Sequence, residues 1–426
     1  MVGSALDLDV QKFLKSFRDI ETGIETLVRK FAINVYKDYL EFGDGTWEDV
    51  WIFNYDQLKS KGDLKIENEC RGLILNHKCD IVSLSFTRFF NDTDKYAAEI
   101  DWESANAEFK HDGTLVVIYT YRGDYFIQTR GRANADGFLP GDPTRTYNEA
   151  VMAILQKWAE KKDGDPFGLF KKHNINDSYT WAFEYVGPDN RIITPYKEDD
   201  LILIAAFDKY VPAEVKSHYV DQFAFEYDIK RPDFRRVPSV EAAYELLDYM
   251  DVLEEGVVIS DHRCRRLKVK KPSYRTMARI ENTAAEDLNA IRFAEIVLAG
   301  DARYVSKHYP EYSPILDFFD EVLVSLMEEL QTVWLLYRVA DSRKTFAEHV
   351  KRNPFSSILF LAWDGKIKDM QDAIKYIKPK QLVDLATDYH PATFNKSFET
   401  AVKAKMAKNA GRSEKETKTK HASSET

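Results

Sequence analysis

Cysteine is scarce: Cys70, Cys79 and Cys264 are the only three in 426 residues. None forms a CxxC pair, so neither a disulfide framework nor a zinc knuckle is indicated. No uninterrupted apolar run reaches membrane-spanning length. The longest candidate, 315–339, is broken by Asp317, Asp320, Glu321, Glu328 and Glu329. The first residues carry no charged-then-apolar signal pattern, and the expectation is a soluble protein of the cytoplasm. There is no internal repeat and no GxxxxGK[ST], GxSxG, HExxH or GxGxxG. P-loop kinases, serine hydrolases, zinc proteases and Rossmann dehydrogenases therefore lack support. Positive charge is in deficit, with a net charge of −10. That argues against a nonspecific nucleic-acid coat, whose affinity comes from many phosphate contacts. It leaves room for a local basic cleft on an acidic body.

The chain is long enough for two cores, and 44% of it is hydrophobic. Apolar residues at Val10, Phe13, Leu14, Phe17, Ile20, Ile24, Leu27, Val28 and Phe31 recur at spacings of three and four, which predicts an amphipathic helix over 7–31. An aromatic, β-like region follows over 35–55, with further apolar strands at 72–75 and 81–86. Residues 115–121 and 125–131 read as a hairpin across the turn Arg122-Gly123-Asp124. A helix is expected over 147–161, and strands over 179–186 and 201–207. Residues 210–236 are charged and aromatic, without clear period. A helix at 240–250 precedes two short strands, 256–259 and 267–270. From Ala278 the period is helical throughout. The expected organisation is a first domain over 1–277 with an N-terminal helix, an all-helical domain over 278–402, and a disordered basic tail over 403–426.

The chemistry gathers around Lys110-His111-Asp112-Gly113. Asp-Gly is turn chemistry, because glycine tolerates positive φ, and Val116-Val117-Ile118-Tyr119 reads as a buried strand. Lys110 therefore ends one extended segment beside a tight turn. An ordinary lysine is protonated at neutral pH. Nearby cations or desolvation can lower its pKa and free the lone pair for attack on phosphorus. A surface lysine beside a turn shares this pattern, so the companions of Lys110 decide. Glu184 interrupts the aromatic strand 179–186, and a buried carboxylate needs a partner. Glu255-Gly256 opens another strand. Lys268 and Lys270 lie on one face of the last, where two ammonium groups repel unless an anion lies between them. An exposed edge strand is the plainer account of that pair.

In this order, these stretches resemble motifs I, III, IV and V of the covalent nucleotidyltransferases: DNA ligases, RNA ligases and mRNA capping enzymes. The finer resemblance is to the phage-type RNA ligase 1 family. It is carried by Glu69-Cys70-Arg71-Gly72, Phe89-Phe90-Asn91, Phe183-Glu184-Tyr185-Val186 with Pro188-Asp189-Asn190-Arg191-Ile192, and Arg343-Lys344-Thr345-Phe346-Ala347, and it spans about residues 35–365.

The resemblance implies an α+β fold: an antiparallel-sheet nucleotidyltransferase domain, then an all-helical C-terminal domain. It implies an ATP-dependent RNA ligase, with ATP and Mg²⁺ as cofactors. Lys110 would form lysyl-AMP. Arg71, Arg88, Phe90, Lys110, Gly113, Arg130, Glu184, Glu255, Lys268 and Lys270 would bind ATP. Asp112 and Glu255 would meet the metal. At Arg88 and Arg130 the family usually has lysine, so the charge is kept but a point donor becomes a fork. Tyr274 takes the place of an aromatic after motif V. The gathered cations would depress the pKa of Lys110. The implied partner is RNA, with cleaved tRNA as the natural substrate of a monomeric enzyme, in host cytoplasm if the chain is viral. A DNA ligase or capping guanylyltransferase is the alternative. Both usually follow motif V with an OB barrel, and helical periodicity stands there instead. A nucleotide-binding module without catalysis is the rival from another class.

Overall fold

The computed structural model describes residues 7–161, 164–173 and 177–422, with side chains to residue 410. The chain divides into two compact units. One comprises the residues up to Met250 together with Glu254–Lys271; the other comprises Asp251–Leu253 and the chain from Pro272. The boundary expected at 277/278 falls inside the helix Pro272–Asn282. Proline stands at that helix's first position, where its missing N–H costs nothing.

The first unit carries three largely antiparallel sheets. In chain order the strands are β1 (Ile33–Glu41), β2 (Trp47–Tyr55), β3 (Arg71–Asn76), β4 (Ile81–Ser83), β5 (Phe90–Asn91), β6 (Asn106–Lys110), β7 (Thr114–Tyr121), β8 (Asp124–Thr129), β9 (Tyr179–Val186), β10 (Asp200–Asp208), β11 (Ala213–Glu214), β12 (Phe234–Arg236), β13 (Gly256–Ser260) and β14 (Arg266–Lys270). One sheet has the order β1-β2-β3-β4, the second β11-β10-β9-β7-β8, and the third β12-β6-β13-β14-β5. In the third, β5 runs parallel to β14. The central strands are buried on both faces. On β9, Phe183 and Tyr185 pack with Val151, Leu155 and Phe170, while Ala182 packs with Phe53, Leu73 and Val117. That accounts for the nearly continuous apolar runs.

Local differences have local causes. The helix expected over 7–31 is two, Asp9–Lys15 and Ile20–Lys30. The break lies at Asp19, whose extended backbone and side chain cap the second helix by accepting from the Thr22 N–H at 2.8 Å. The aperiodic region 210–236 contains a helix, Ser217–Tyr227, anchored by Val220, Phe223 and Ala224.

The second unit is helical. Its longest buried element, Ser313–Tyr337, turns Ile315, Leu316, Phe319, Val322, Leu326 and Leu330 inward. Among the described residues, no helix is long and apolar enough to cross a membrane. The tail expected to be disordered is helical instead, because the helix Pro391–Ala422 continues through it. Residues 423–426 lie outside the described residues. The reason is a buried ionic clamp that composition hides. Lys405 is fully buried and donates to the Glu281 carbonyl at 2.7 Å. The Glu281 carboxylate takes Lys408 at 2.7 Å and the Tyr312 hydroxyl at 2.9 Å. A lysine-rich run looks solvated until one carboxylate pairs with two of its members.

Candidate active site

Pairing register assembles the centre of the site. On one rung of the third sheet, Gly256 of β13 stands opposite both Lys110 of β6 and Lys270 of β14. Glu255 immediately precedes that rung. Its carboxylate bridges the two lysines, at 2.7 Å to Lys110 Nζ and 2.7 Å to Lys270 Nζ. Glycine is required at 256. Its φ is 136°, and a Cβ there would lie 2.2 Å from the Val269 carbonyl oxygen.

The turn after Lys110 leads into the second sheet. Thr114 pairs with Tyr185 and Leu115 with Glu184. The Gly113 N–H donates to Glu184 Oε1 at 3.1 Å, and a Cβ at 113 would lie 2.2 Å from the Tyr185 carbonyl oxygen. Asp112 is buried. Its Oδ2 accepts from the Ile193 and Thr194 N–H groups at 2.7 and 2.8 Å, and its own N–H donates to the Tyr196 hydroxyl. Asp112 thus ties the segment after β9 to the turn that presents Lys110.

The electrostatics correct one expectation. Burial works against charge on Lys110, but Glu255, Glu184 and Asp112 outweigh it and hold the ammonium above the ordinary lysine range. The cations were expected to depress it. The carboxylate at hydrogen-bond distance wins because it is the nearest charge. Burial likewise disfavours charge on Glu255, yet Lys110 and Lys270 keep it ionised. Burial, opposed by Lys110, raises Glu184 to about 7. Lys268 goes the other way: burial, with Arg71, Lys270 and Lys110 beside it, lowers it to about 8.

Arg71 opens β3. Its guanidinium lies 6.0 Å from the Phe86 ring centroid and 5.7 Å from that of Phe89, and its buried Nη1 has no hydrogen-bond partner. An orphaned buried donor is costly and invites an anion. Lys268 Nζ sits 4.9 Å from the Phe89 ring centroid. Arg71, Phe89, Lys110, Leu115, Glu184 and Val258 are among the walls of a cavity of about 70 Å³. It is Phe89 that lines this cavity. Phe90 packs over Gly62, where a Cβ would lie 2.5 Å from the ring.

Arg130 and Arg88 lie farther along. Both guanidinium groups stand on the Tyr55 ring, at 4.5 and 4.3 Å from its centroid, and Arg88 is also 4.9 Å from that of Phe90. Ser60 accepts from Arg88 at 2.8 Å and donates to the buried Glu67 at 2.6 Å. Asn54 was not legible in the sequence, yet it is the joint of this cluster. Its Oδ1 accepts from Arg130 Nε at 3.0 Å and the Gly72 N–H at 2.9 Å, and its Nδ2 donates to the Arg130 carbonyl at 2.9 Å. These partners are 76 and 18 residues away, so no local pattern could have marked it.

The residues present can be tested against a nucleotide and a hard metal ion. Arg71 Nη1, which has no hydrogen-bond partner, and the ammonium groups of Lys268 and Lys270 suit phosphate oxygens. Glu255 is the kind of oxygen donor that Mg²⁺ takes. Asp112 Oδ2 already accepts from two backbone N–H groups. Among the described residues, no group of three or more His, Cys, Asp or Glu side chains is placed to hold a metal by itself. A metal here would complete its shell with water or nucleotide oxygens.

Residues 69–274 match the profile of the RNA ligase family of the phage T4 RNA ligase 1 type. A putative bifunctional polynucleotide kinase/RNA ligase of Autographa californica nuclear polyhedrosis virus is 26% identical over 391 residues, covering 85% of this chain. The chain spans 53% of that relative's length. An RNA ligase of Rhodothermus phage RM378 is 24% identical over 399 residues, covering 78% of this chain and 89% of the phage protein. Among solved structures, an archaeal ATP-dependent RNA ligase aligns with a TM-score of 0.45 and 14% identity, covering 81% of this chain and 89% of the archaeal one.

Proposed function

We infer that this chain, whose residues 69–274 match the RNA ligase family, is an ATP-dependent enzyme that joins an RNA 5′-phosphate to an RNA 3′-hydroxyl. The observation that carries the inference is the single rung that sets Lys110, Glu255 and Lys270 together, with Arg71, whose Nη1 has no hydrogen-bond partner, lining the same cavity as Lys110.

In the first step the Lys110 amine attacks the α-phosphorus of ATP. The N–P bond forms, the bond to the β-phosphate oxygen breaks, and pyrophosphate leaves. The Lys110 ammonium sheds two protons to become the phosphoramidate N–H: one passes to solvent before the attack, and Glu255, 2.7 Å away, is placed to receive the other. Arg71, Lys268 and Lys270 neutralise oxygens around the phosphorus, with Arg88 and Arg130 beyond them on the leaving side. Glu255, with Asp112 as a second carboxylate, would hold Mg²⁺, which when bound supplies further neutralisation of the nonbridging oxygens. Glu184 orients the nucleotide and, through the Gly113 N–H, the turn that carries Lys110. In the second step an oxygen of the RNA 5′-phosphate attacks the same phosphorus, the N–P bond breaks, and Lys110 regains its protons. In the third an RNA 3′-hydroxyl displaces AMP. The natural RNA is cleaved tRNA, on the resemblance that runs on through 343–347.

The test is incubation with α-labelled ATP or GTP, with and without Mg²⁺, followed by denaturing electrophoresis. Label on the protein from ATP and Mg²⁺ alone is expected. Label from GTP alone makes the chain a guanylyltransferase, and no label from either removes the covalent mechanism.

A further inference from the structure

Resting on the ligase reading above, we propose that the trough of about 770 Å³ beside Arg130 is the groove that receives the 5′-phosphorylated RNA strand. Stereochemistry points there first. In-line transfer at phosphorus brings each nucleophile in opposite the group that leaves. When Lys110 attacks, pyrophosphate leaves on the far side. When Lys110 is itself the leaving group, the RNA 5′-phosphate must enter where pyrophosphate was. The strand behind that phosphate needs a path out of the cationic cluster, and the trough opens directly from it.

Asn54, Tyr55 and Arg130 belong to both the cluster and the trough wall. On the first sheet Asn34 pairs with Asn54 and Tyr36 with Ile52, so the wall is one continuous face of β1 and β2. Tyr36 leaves 53% of its surface in solvent. An exposed aromatic ring beside a cationic cleft is what an unpaired base stacks on. Arg132 supplies a further exposed cation, paired with Asp136 only at 3.6 Å with both side chains more than half exposed. Such a pair contributes little and is readily exchanged for phosphate. The acids of the wall are already engaged. Asp38 accepts from the Ala133 and Tyr39 N–H groups, and Asp56 from those of Leu58 and Lys59. What remains, with the exposed Leu58 among the walls, is a mainly aromatic, amide and cationic surface, suited to the backbone and bases of a single RNA strand more than to a peptide.

The experiment uses the full chain with Tyr36→Ala, Tyr36→Phe and Arg132→Glu. It measures lysyl-AMP formation from ATP, then AMP transfer to a 5′-phosphorylated oligoribonucleotide over a range of RNA concentrations. Tyr36→Ala and Arg132→Glu should raise the RNA concentration for half-maximal transfer about tenfold, the scale of one lost stacked base. Tyr36→Phe should stay within about twofold of wild type, since it keeps the ring. Lysyl-AMP formation should be unchanged in all three. RNA dependence equal to wild type in Tyr36→Ala and Arg132→Glu overturns the groove. A fall in lysyl-AMP formation itself overturns it also, because the trough would then serve ATP. Failure of the unaltered chain to take or pass on AMP is separate, and counts against the ligase reading.

Discussion

At the residue scale the site contains two lysines with opposed tendencies, and the one in the motif is the harder to deprotonate. Lys110 is held charged by Glu255, whereas Lys268 is drawn down to about 8 by burial and its cationic neighbours. Ease of deprotonation alone would favour Lys268. Geometry favours Lys110, which ends β6 beside a turn fixed by Asp112 and Gly113. Lys110→Ala should therefore abolish label transfer from ATP while still sealing RNA that already carries a 5′-adenylate. Labelled protein in that variant would make Lys268 the nucleophile. Glu184 gives a second prediction, with its sign fixed by linkage. Burial is the main cause that pushes its carboxyl up to about 7 in the fold, from the ordinary 4.5 of a free glutamate. The folded chain binds this proton more tightly, so it loses stability as pH rises from 4.5 through 7. Glu184→Gln removes that loss. At pH 8 the variant should be more stable than wild type, by on the order of 2 kcal/mol, and at pH 4.5 the two should match. Lysyl-AMP formation should fall all the same. Denaturant melts at both pH values check it, and equal stability at pH 8 refutes it. That Lys110, Glu184, Glu255 and Lys268 would gather in one place was legible because each sits at a fixed offset from glycine or within a strand. The direction of the Lys110 shift was not, since it depends on a carboxylate 145 residues away.

At the element scale, two turns and two glycines hold the chemistry, and glycine is the part of each motif that sequence shows best. Gly256 lets β13 run against β14 closely enough for Glu255 to reach both Lys110 and Lys270. Gly256→Ala would place a Cβ 2.2 Å from the Val269 oxygen at a φ of 136°. Backbone, not a flexible side chain, would have to yield. The expected cost is at least about 2 kcal/mol, with lysyl-AMP formation lost more than stability because the Glu255 bridge shifts first. A melt within about 0.5 kcal/mol of wild type, with normal labelling, would show that the rung tolerates the methyl group. The strands that carry these glycines could be read from alternation and apolar runs. The helix Ser217–Tyr227 could not, because its buried face is a short patch of Val220, Phe223 and Ala224 amid charged and aromatic neighbours. Asn54 was invisible for the same reason as the Lys110 shift: both are long-range pairings.

At the scale of the whole molecule, the groups described around Lys110 all belong to the first unit, and the second is considered by itself. Its apolar residues are mostly core, as in Ser313–Tyr337. Its exposed cations are another matter. Arg343 is engaged with Asp364 at 3.3 Å and lies over Phe360, whereas Lys344, Lys351 and Arg352 are exposed around the short helix Arg343–Val350. A solvated helix face would look the same. Folded RNA, however, is recognised through shape and phosphate more than through base edges, and on the cleaved-tRNA reading proposed above the enzyme has to tell a nicked loop from a loose end. The combined variant Lys344→Glu, Lys351→Glu, Arg352→Glu is therefore expected to form lysyl-AMP and to join short linear strands as wild type does. Its preference for nicked tRNA over a linear oligonucleotide should shrink about tenfold, as removal of two or three phosphate contacts would require. The two rates, measured side by side at fixed salt, give the ratio directly. A preference unchanged by three reversed charges would make this helix face a solvated surface and leave substrate choice to the first unit, where the trough beside Arg130 is the candidate.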